Sequence, residues 1–244
     1  ISGMLPLDQV LGSVDFNVLL MIAGTMGIVS LFIESKMPAL LADIIIAKVP
    51  NACWATIALS LFAGVISALV DNVATVLMVA PVALAVAKRA KMSPVSMIIA
   101  IAVSSNLQGA ATLVGDTTSI LLGGYAGMNF LDFFVYQGKP SIFFAVELGA
   151  VLSLVILYFL FRNEKGTLPE TEKTVVTDYV PTVLIVGMIA LLVVASFIPN
   201  TPDITNGTIC VTLFVIGGIY NSVRKKSLDG IVNPLKEIDL GTIF

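Results

Sequence analysis

The sequence predicts an all-α polytopic membrane protein built on an inverted repeat, with a re-entrant helical hairpin and a discontinuous transmembrane helix. Three observations predict it. Of the 244 residues 57% are hydrophobic and 12% charged, with a mean hydropathy of +1.01, far from a soluble domain. Two polar clusters, "VDN" at 70–72 and "GDTTS" at 115–119, interrupt stretches that are otherwise apolar. Finally, "VDFNVLL" at 14–20 and "IDLGTIF" at 238–244 agree in type at most positions, each with an aspartate (Asp15, Asp239) opening an apolar run.

Taken in order, residues 16–33 are apolar enough for one span, and crossing needs about 20 residues. The segment "MPALLADIIIAKVP" at 37–50 mixes apolar and charged residues at helical spacing and reads as a helix lying along the interface. From Lys48 to Lys88 the only formal charge is Asp71. Lysines precede and follow this stretch, and Lys and Arg collect on the cytoplasmic side in short loops, so it begins and ends inside. Two readings fit: two full spans joined by an external turn at Asp71 and Asn72, or a re-entrant hairpin over about 51–87. "ISAL" before and "ATVLMV" after offer too little polarity for a loop in water, which favours the re-entrant form, its tip surrounded by protein and water.

Residues 95–125 should span as one helix, but Asn106, Gln108, Gly109, Gly115, Asp116, Thr117, Thr118 and Ser119 fall inside it. Glycine costs about 1 kcal/mol in a helix interior and a buried aspartate several more, so the expected outcome is a broken helix. "GMNFLDFFVYQG" at 127–138 is expected to be a second interfacial helix, followed by spans at 141–161, 180–198 and 207–223. Glu147, inside a span, could snorkel or pair with Lys139. "KRAK" (88–91), "RNEK" (162–165) with Lys173, and "RKK" (224–226) with Lys236 are placed inside, and "PNTPDITNG" (199–207) outside. "NGT" at Asn206 is a glycosylation pattern on that outer loop.

Five crossings separate the two similar heptads, so the second would start from the opposite side of the membrane. Inverted repeats of this kind are the architecture of many secondary transporters, with the site where the halves meet. On this reading residues 1–161 are the first repeat, 162–236 a cytoplasmic loop and connecting helix pair, and 237–244 the start of the second repeat. The chain opens with Ile1 and stops as an apolar run begins, so it reads as a portion of a longer protein with no visible signal peptide.

Several chemistries are set aside by composition. Histidine is absent, which removes the commonest metal ligand and near-neutral proton shuttle. Cys53 and Cys210 stand far apart in apolar runs and read as packing residues. No GxxxxGK[ST] stretch exists for nucleotide-driven work. A broken helix frees carbonyls at membrane depth, and with Thr, Ser and Asp oxygens these suit a hard cation such as sodium. Helix amino ends at the same spot could hold an anion. The candidate site is therefore Asp71, Asn72, Thr75, Asn106, Gly115, Asp116, Thr117 and Thr118, with Asp71, Asn72, Asp116 and Thr117 as a sodium site. Asp71 capping the second hairpin arm, and Asn106 and Gln108 merely bonding neighbouring helices, are the structural alternatives.

At these residues the chain resembles the ion transporter superfamily that includes arsenite pumps, citrate and dicarboxylate carriers, the melanosomal P protein and a class of sodium/proton antiporters. "DNVATVLMVAP" resembles the signature "DNVTTVLLxAP", and "SNLQGAATLVGDTTSI" resembles "xNIGGxATLxGDPPNI", followed in both by "GMNFLDFF". The resemblance covers about 14–161. Where that group has Pro-Pro-Asn after Gly-Asp, this chain has Thr117, Thr118 and Ser119, closer to the "GDITT" of the antiporters. The resemblance implies two inverted repeats moving substrate by an elevator-like or rocking motion, often as a homodimer. The expected function is ion-coupled secondary transport, by sodium or proton, of a small ion or an organic or inorganic anion, with a sodium/proton antiporter as the alternative. Proton coupling would fall to the carboxylates, whose pKa rises on desolvation. An intramembrane aspartyl protease is a remote alternative, since "LVDN" and "LVGD" differ from its Tyr-Asp and Gly-x-Gly-Asp contexts. A passive channel or scaffold is a third. The expected partners are membrane lipid, a solute or ion and a second copy, with no nucleic acid and no cofactor beyond sodium, in a plasma or inner membrane.

Overall fold

The computed structural model describes residues 15–164, 166, 174–199 and 201–237. Among them are ten α-helices: α1 (Phe16–Glu34), α2 (Met37–Ile46), α3 (Ala52–Ser67), α4 (Asn72–Ala90), α5 (Pro94–Gly109), α6 (Thr117–Ala126), α7 (Ile142–Phe161), α8 (Val180–Ser196), α9 (Thr205–Lys225) and α10 (Asp229–Glu237). The chain is an all-α multi-pass membrane protein. Helices α1, α4, α7 and α9 are long and apolar enough to cross a bilayer. The segment 238–244, read above as the opening of a second repeat, lies outside the described residues, as do Lys165 and Lys173.

Helix α7 makes the solvent plain. Of its twenty residues only Ala150 and Phe161 are buried, while Phe144, Leu148, Leu152, Val155 and Phe159 face outward. Such a surface is untenable in water and ordinary against lipid tails. At its end the Tyr158 ring lies tilted against Trp54 with centroids 6.0 Å apart, and Arg162 sits 5.7 Å from the Phe159 ring, the amphipathic pairing expected where membrane meets water.

The helices pack as two groups. In one, α1 lies along α9 with α8 against both. In the other, α3, α4 and α5 pack around Ala42, Leu59, Val79, Ala83, Met97 and Ile101, with α2 closing one side and α7 lying against α3 and α5. The largest core joins the groups: Met21, Ile22, Ile28 and Leu31 of α1 meet Met188 and Leu192 of α8, Phe214 of α9, and Leu113, Val114 and Ile120 around the break between α5 and α6.

Contacts at the helix ends sort the loops. The amides of Ala52 and Cys53, unpaired by helix geometry, donate to the carbonyls of Gly166 and Glu164 at 3.0 Å each. Gly166 in turn lies against Ala90 at the end of α4. The base of α3–α4 and the end of α7 are thus at one end of the molecule, with Lys88, Arg89 and Arg162. At the opposite end Asn17 Oδ1 accepts from the Gly207 amide at 2.7 Å, and Asp15 lies beside Gly124.

Two local expectations differ from the structure. Residues 127–138 form no interfacial helix: a 3₁₀ turn at Leu131–Phe133 leads into a short ribbon pairing β1 (Val135–Tyr136) with β2 (Lys139–Pro140). The reason is local bonding. Asn129 Oδ1 accepts from the Leu131 and Asp132 amides and Asp132 Oδ2 from the Asn129 amide, a closed turn that drops Phe133 fully into the core. Asn206 lies in the first turn of α9 rather than in a loop.

Candidate functional site

The stretch between α3 and α4 turns within four residues. Helix α3 ends at Ser67, and Asp71 starts α4 as its N-cap, with Oδ2 accepting from the Ala74 amide at 3.1 Å. The capping alternative for Asp71 is therefore real. Helix α5 ends at Gly109, residues 110–116 are irregular, and α6 starts at Thr117 with Asp116 as N-cap residue. Asp116 bonds no helix amide through its side chain. Its oxygens accept instead from Thr117 Oγ1 at 3.3 Å and Thr118 Oγ1 at 2.9 Å.

These two irregular points touch. Thr112 Oγ1 donates to the carbonyl of Ala68, joining the break to the hairpin tip. Gly115 lies so close to the tip that a β-carbon on it would sit 2.8 Å from the Ser67 and Ala68 carbonyl oxygens and 2.5 Å from that of Gly109. Only glycine fits there. On the other flank Asn72 Nδ2 donates to Asn106 Oδ1 at 2.7 Å, and Ser105 Oγ donates to the Asn72 carbonyl at 3.1 Å.

The result is a cleft of about 560 Å³ between the two helix groups. Asp71, Asn72, Asp116 and Thr117 line it from the hairpin and the break, and Met26, Val29, Ser30 and Ile33 of α1 form the facing wall. A small recess beside it is lined by Asp71, Gly115, Asp116 and Thr25. Asp71 and Asp116 are both half-buried and line the same cleft. Two carboxylates facing one partly dry cleft repel unless a cation or proton comes between them. The amino ends of α4 and α6 meet there too and bring partial positive charge, so the place has poles of both signs.

The other predicted residues lie elsewhere. Thr75 is fully buried and its hydroxyl donates back to the Asp71 carbonyl at 2.9 Å, so it braces the first turn of α4. Asn106 faces a separate shallow cleft of about 430 Å³ with Asn72, Val76 and Val103. Thr118 is exposed and reaches the cleft only through Asp116. Glu147 on α7 is not among the cleft residues. Sequence reading missed the α1 wall and the tie at Thr112. The available signals were Thr25 and Ser30 inside an apolar span, and Thr112 in "GAATLVGD".

A hairpin and a broken helix meeting at a polar cleft inside a multi-pass helical bundle define a membrane transporter scaffold. The chain belongs to the Citrate transporter family, whose pattern it matches over residues 1–225. Among similar proteins, an uncharacterised transporter of Mycobacterium bovis is 42% identical over 96 residues, 39% of this chain and 22% of that protein. An uncharacterised transporter of Mycobacterium tuberculosis is 30% identical over 191 residues, 77% of this chain and 44% of that protein. The P protein of Mus musculus is 28% identical over 165 residues, 65% of this chain and 19% of that protein. The match covers less than half the length of each of these relatives.

Proposed function

We propose that the protein is an ion-coupled secondary active transporter in which Asp71 and Asp116 hold the coupling ion, sodium or a proton, while a small ion or anion crosses with it or against it. The observation that carries this reading is the shared cleft: two carboxylates from separate chain breaks, a neighbouring hydroxyl at Thr117, and two helix amino ends. Sodium would find hard oxygens at Asp71, Asn72, Asp116 and Thr117. An anion would find the amino ends of α4 and α6. The place of the cleft between the α1–α8–α9 group and the hairpin group supports alternating access, since relative movement of two rigid groups opens such a cleft to either side.

The family name makes citrate the first organic anion to try. A second reading, cation/proton exchange without an organic substrate, is favoured by one observation: Thr117 and Thr118 stand where the resembling group carries proline, and both donate to Asp116. The full-length protein in proteoliposomes decides between them. Counterflow of labelled citrate under sodium or pH gradients supports the first; gradient-driven cation/proton exchange with no citrate flux supports the second. Asp71→Asn and Asp116→Asn should each abolish coupled flux, and unchanged flux in both variants would remove the carboxylates from the mechanism.

A further inference from the structure

Away from the carboxylate cleft, a pocket of about 500 Å³ lies where α1 ends, α8 begins and α9 ends, on the side that its basic residues mark as cytoplasmic. Its charged lining is Lys36, Arg224 and Lys225 against Glu34 and Asp178, so cations outnumber carboxylates. The hydrogen bonding is more lopsided than the charge. All four carboxylate oxygens already accept: Glu34 Oε1 from Lys225 and Oε2 from Asn221 at 3.1 Å, Asp178 Oδ1 from the Val180 amide at 3.0 Å and Oδ2 from Arg224 at 2.5 Å. The donors are far from used up. Arg224 gives one further N–H to the Thr177 carbonyl at 2.7 Å, Lys225 uses one N–H of its three, and the Lys36 ammonium belongs to neither ion pair found among the described residues. A pocket with satisfied acceptors and surplus cationic donors is a place for an anion, and an arginine beside lysines suits the oxygens of a phosphate.

The surroundings of the pocket say where that anion comes from. Tyr179 and Val183 at the start of α8, and Ile219, Tyr220 and Val223 near the end of α9, are exposed, each within two residues of a pocket-lining side chain. Apolar side chains bordered by tyrosine belong to the interfacial layer of a bilayer. Helix α10 is held beside the pocket by Asn221, whose Nδ2 donates to the Gly230 carbonyl at 3.1 Å as well as to Glu34. Along that helix and its approach Leu228 and Leu235 are exposed together with Lys226 and Lys236, the composition of a segment lying on an anionic membrane surface.

We propose that this pocket binds the phosphate of an anionic glycerophospholipid of the cytoplasmic leaflet, with Lys36, Arg224 and Lys225 as its donors and the acyl chains running along the exposed apolar faces of α8 and α9. Bound there, the lipid joins the ends of α1 and α9 to the start of α8 and so holds the α1–α8–α9 group together. Neither Asp71 nor Asp116 lines the pocket, so the inference stands apart from the choice of coupling ion or transported solute.

Melting of the full-length protein in lipid–detergent micelles tests it. The probes are phosphatidylglycerol, phosphatidylcholine of the same chain length, and soluble glycerol phosphate, which carries a phosphate without acyl chains. Phosphatidylglycerol should raise the melting temperature above that in phosphatidylcholine, and the effect should saturate. Lys36→Gln removes a cation that the ion pairs do not use, so it should melt like the wild type in phosphatidylcholine yet need about fivefold more phosphatidylglycerol for half the effect, with Lys36→Arg restoring it. Lys48→Gln, at an exposed lysine outside the pocket, should respond like the wild type. A second measurement needs no variant: wild-type protein extracted from vesicles of the two lipids in equal amounts should retain phosphatidylglycerol in excess. Equal stabilisation by the two lipids, an unchanged phosphatidylglycerol requirement in Lys36→Gln, an equal loss in Lys48→Gln, or retention of the lipids at their bulk ratio each overturns the proposal. So does full stabilisation by glycerol phosphate in phosphatidylcholine micelles, which would make the pocket a site for a free anion.

Discussion

Gly115→Ala is the sharpest probe of how the site is assembled. The added methyl would meet three backbone carbonyl oxygens, at 2.5 Å from Gly109 and 2.8 Å from Ser67 and Ala68. Backbone cannot swing aside as a long side chain can, so the break must draw away from the hairpin tip by several tenths of an ångström. Overpacking of this kind costs about 1–3 kcal/mol. Moving the break also strains the bond from Thr112 to the Ala68 carbonyl, a buried group whose loss adds about 1 kcal/mol. A total of about 2–4 kcal/mol is expected, together with displacement of Asp116 relative to Asp71. Gly109→Ala is the matched control. Its nearest neighbours are at 3.4 and 3.5 Å, ordinary contact distances, and removing a helical glycine should be neutral or gain up to about 1 kcal/mol. Thermal unfolding of the full-length protein in detergent reads the stabilities, and gradient-driven flux reads the site. If Gly115→Ala melted and transported like the wild type while Gly109→Ala did not, the close approach of tip and break would be refuted.

Three further outcomes follow from named bonds. Thr112→Val keeps shape but orphans the buried Ala68 carbonyl, so unfolding should become easier by about 1–3 kcal/mol, with Thr112→Ser recovering most of it. Asn106→Ala frees Asn72 from its 2.7 Å partner in a half-exposed setting; stability should fall by no more than about 1 kcal/mol, and proteolysis should show whether the tip of the hairpin becomes more accessible. Arg224→Ala removes the 2.5 Å ion pair with Asp178 and a bond to the Thr177 carbonyl. Arg224 is 42% exposed and Asp178 10%, so the loss should be near 1 kcal/mol and should shrink in high salt, which melting curves at two ionic strengths would check.

Much of the fold was legible because lipid imposes simple rules. Apolar runs of span length marked α1, α7, α8 and α9, and the polar clusters at 70–72 and 115–119 marked the two places where backbone leaves regular helix. Asp71 and Asp116 stood out because a charge in such a setting is costly. What misled were residues whose role depends on a partner. Thr75 shares the polar character of Thr117, yet its hydroxyl bonds the preceding turn, a choice set by facing the packed side of α4. Asn106 bonds Asn72 across helices, the alternative the sequence left open, although no spacing within either motif names the partner. The 127–138 segment has helical spacing, but three bonds between Asn129 and its neighbours close a turn instead.

By itself the sequence determined the solvent, the order of helices and the two points of interruption, because hydropathy and the cost of buried polar groups are local quantities summed along the chain. Only the tertiary structure decided that the interruptions meet and that α1 supplies the facing wall of their cleft. Those are relations between residues more than thirty positions apart. They are fixed by which backbones can approach closely, at Gly115 above all, and such an approach is a property of two surfaces together rather than of either segment alone.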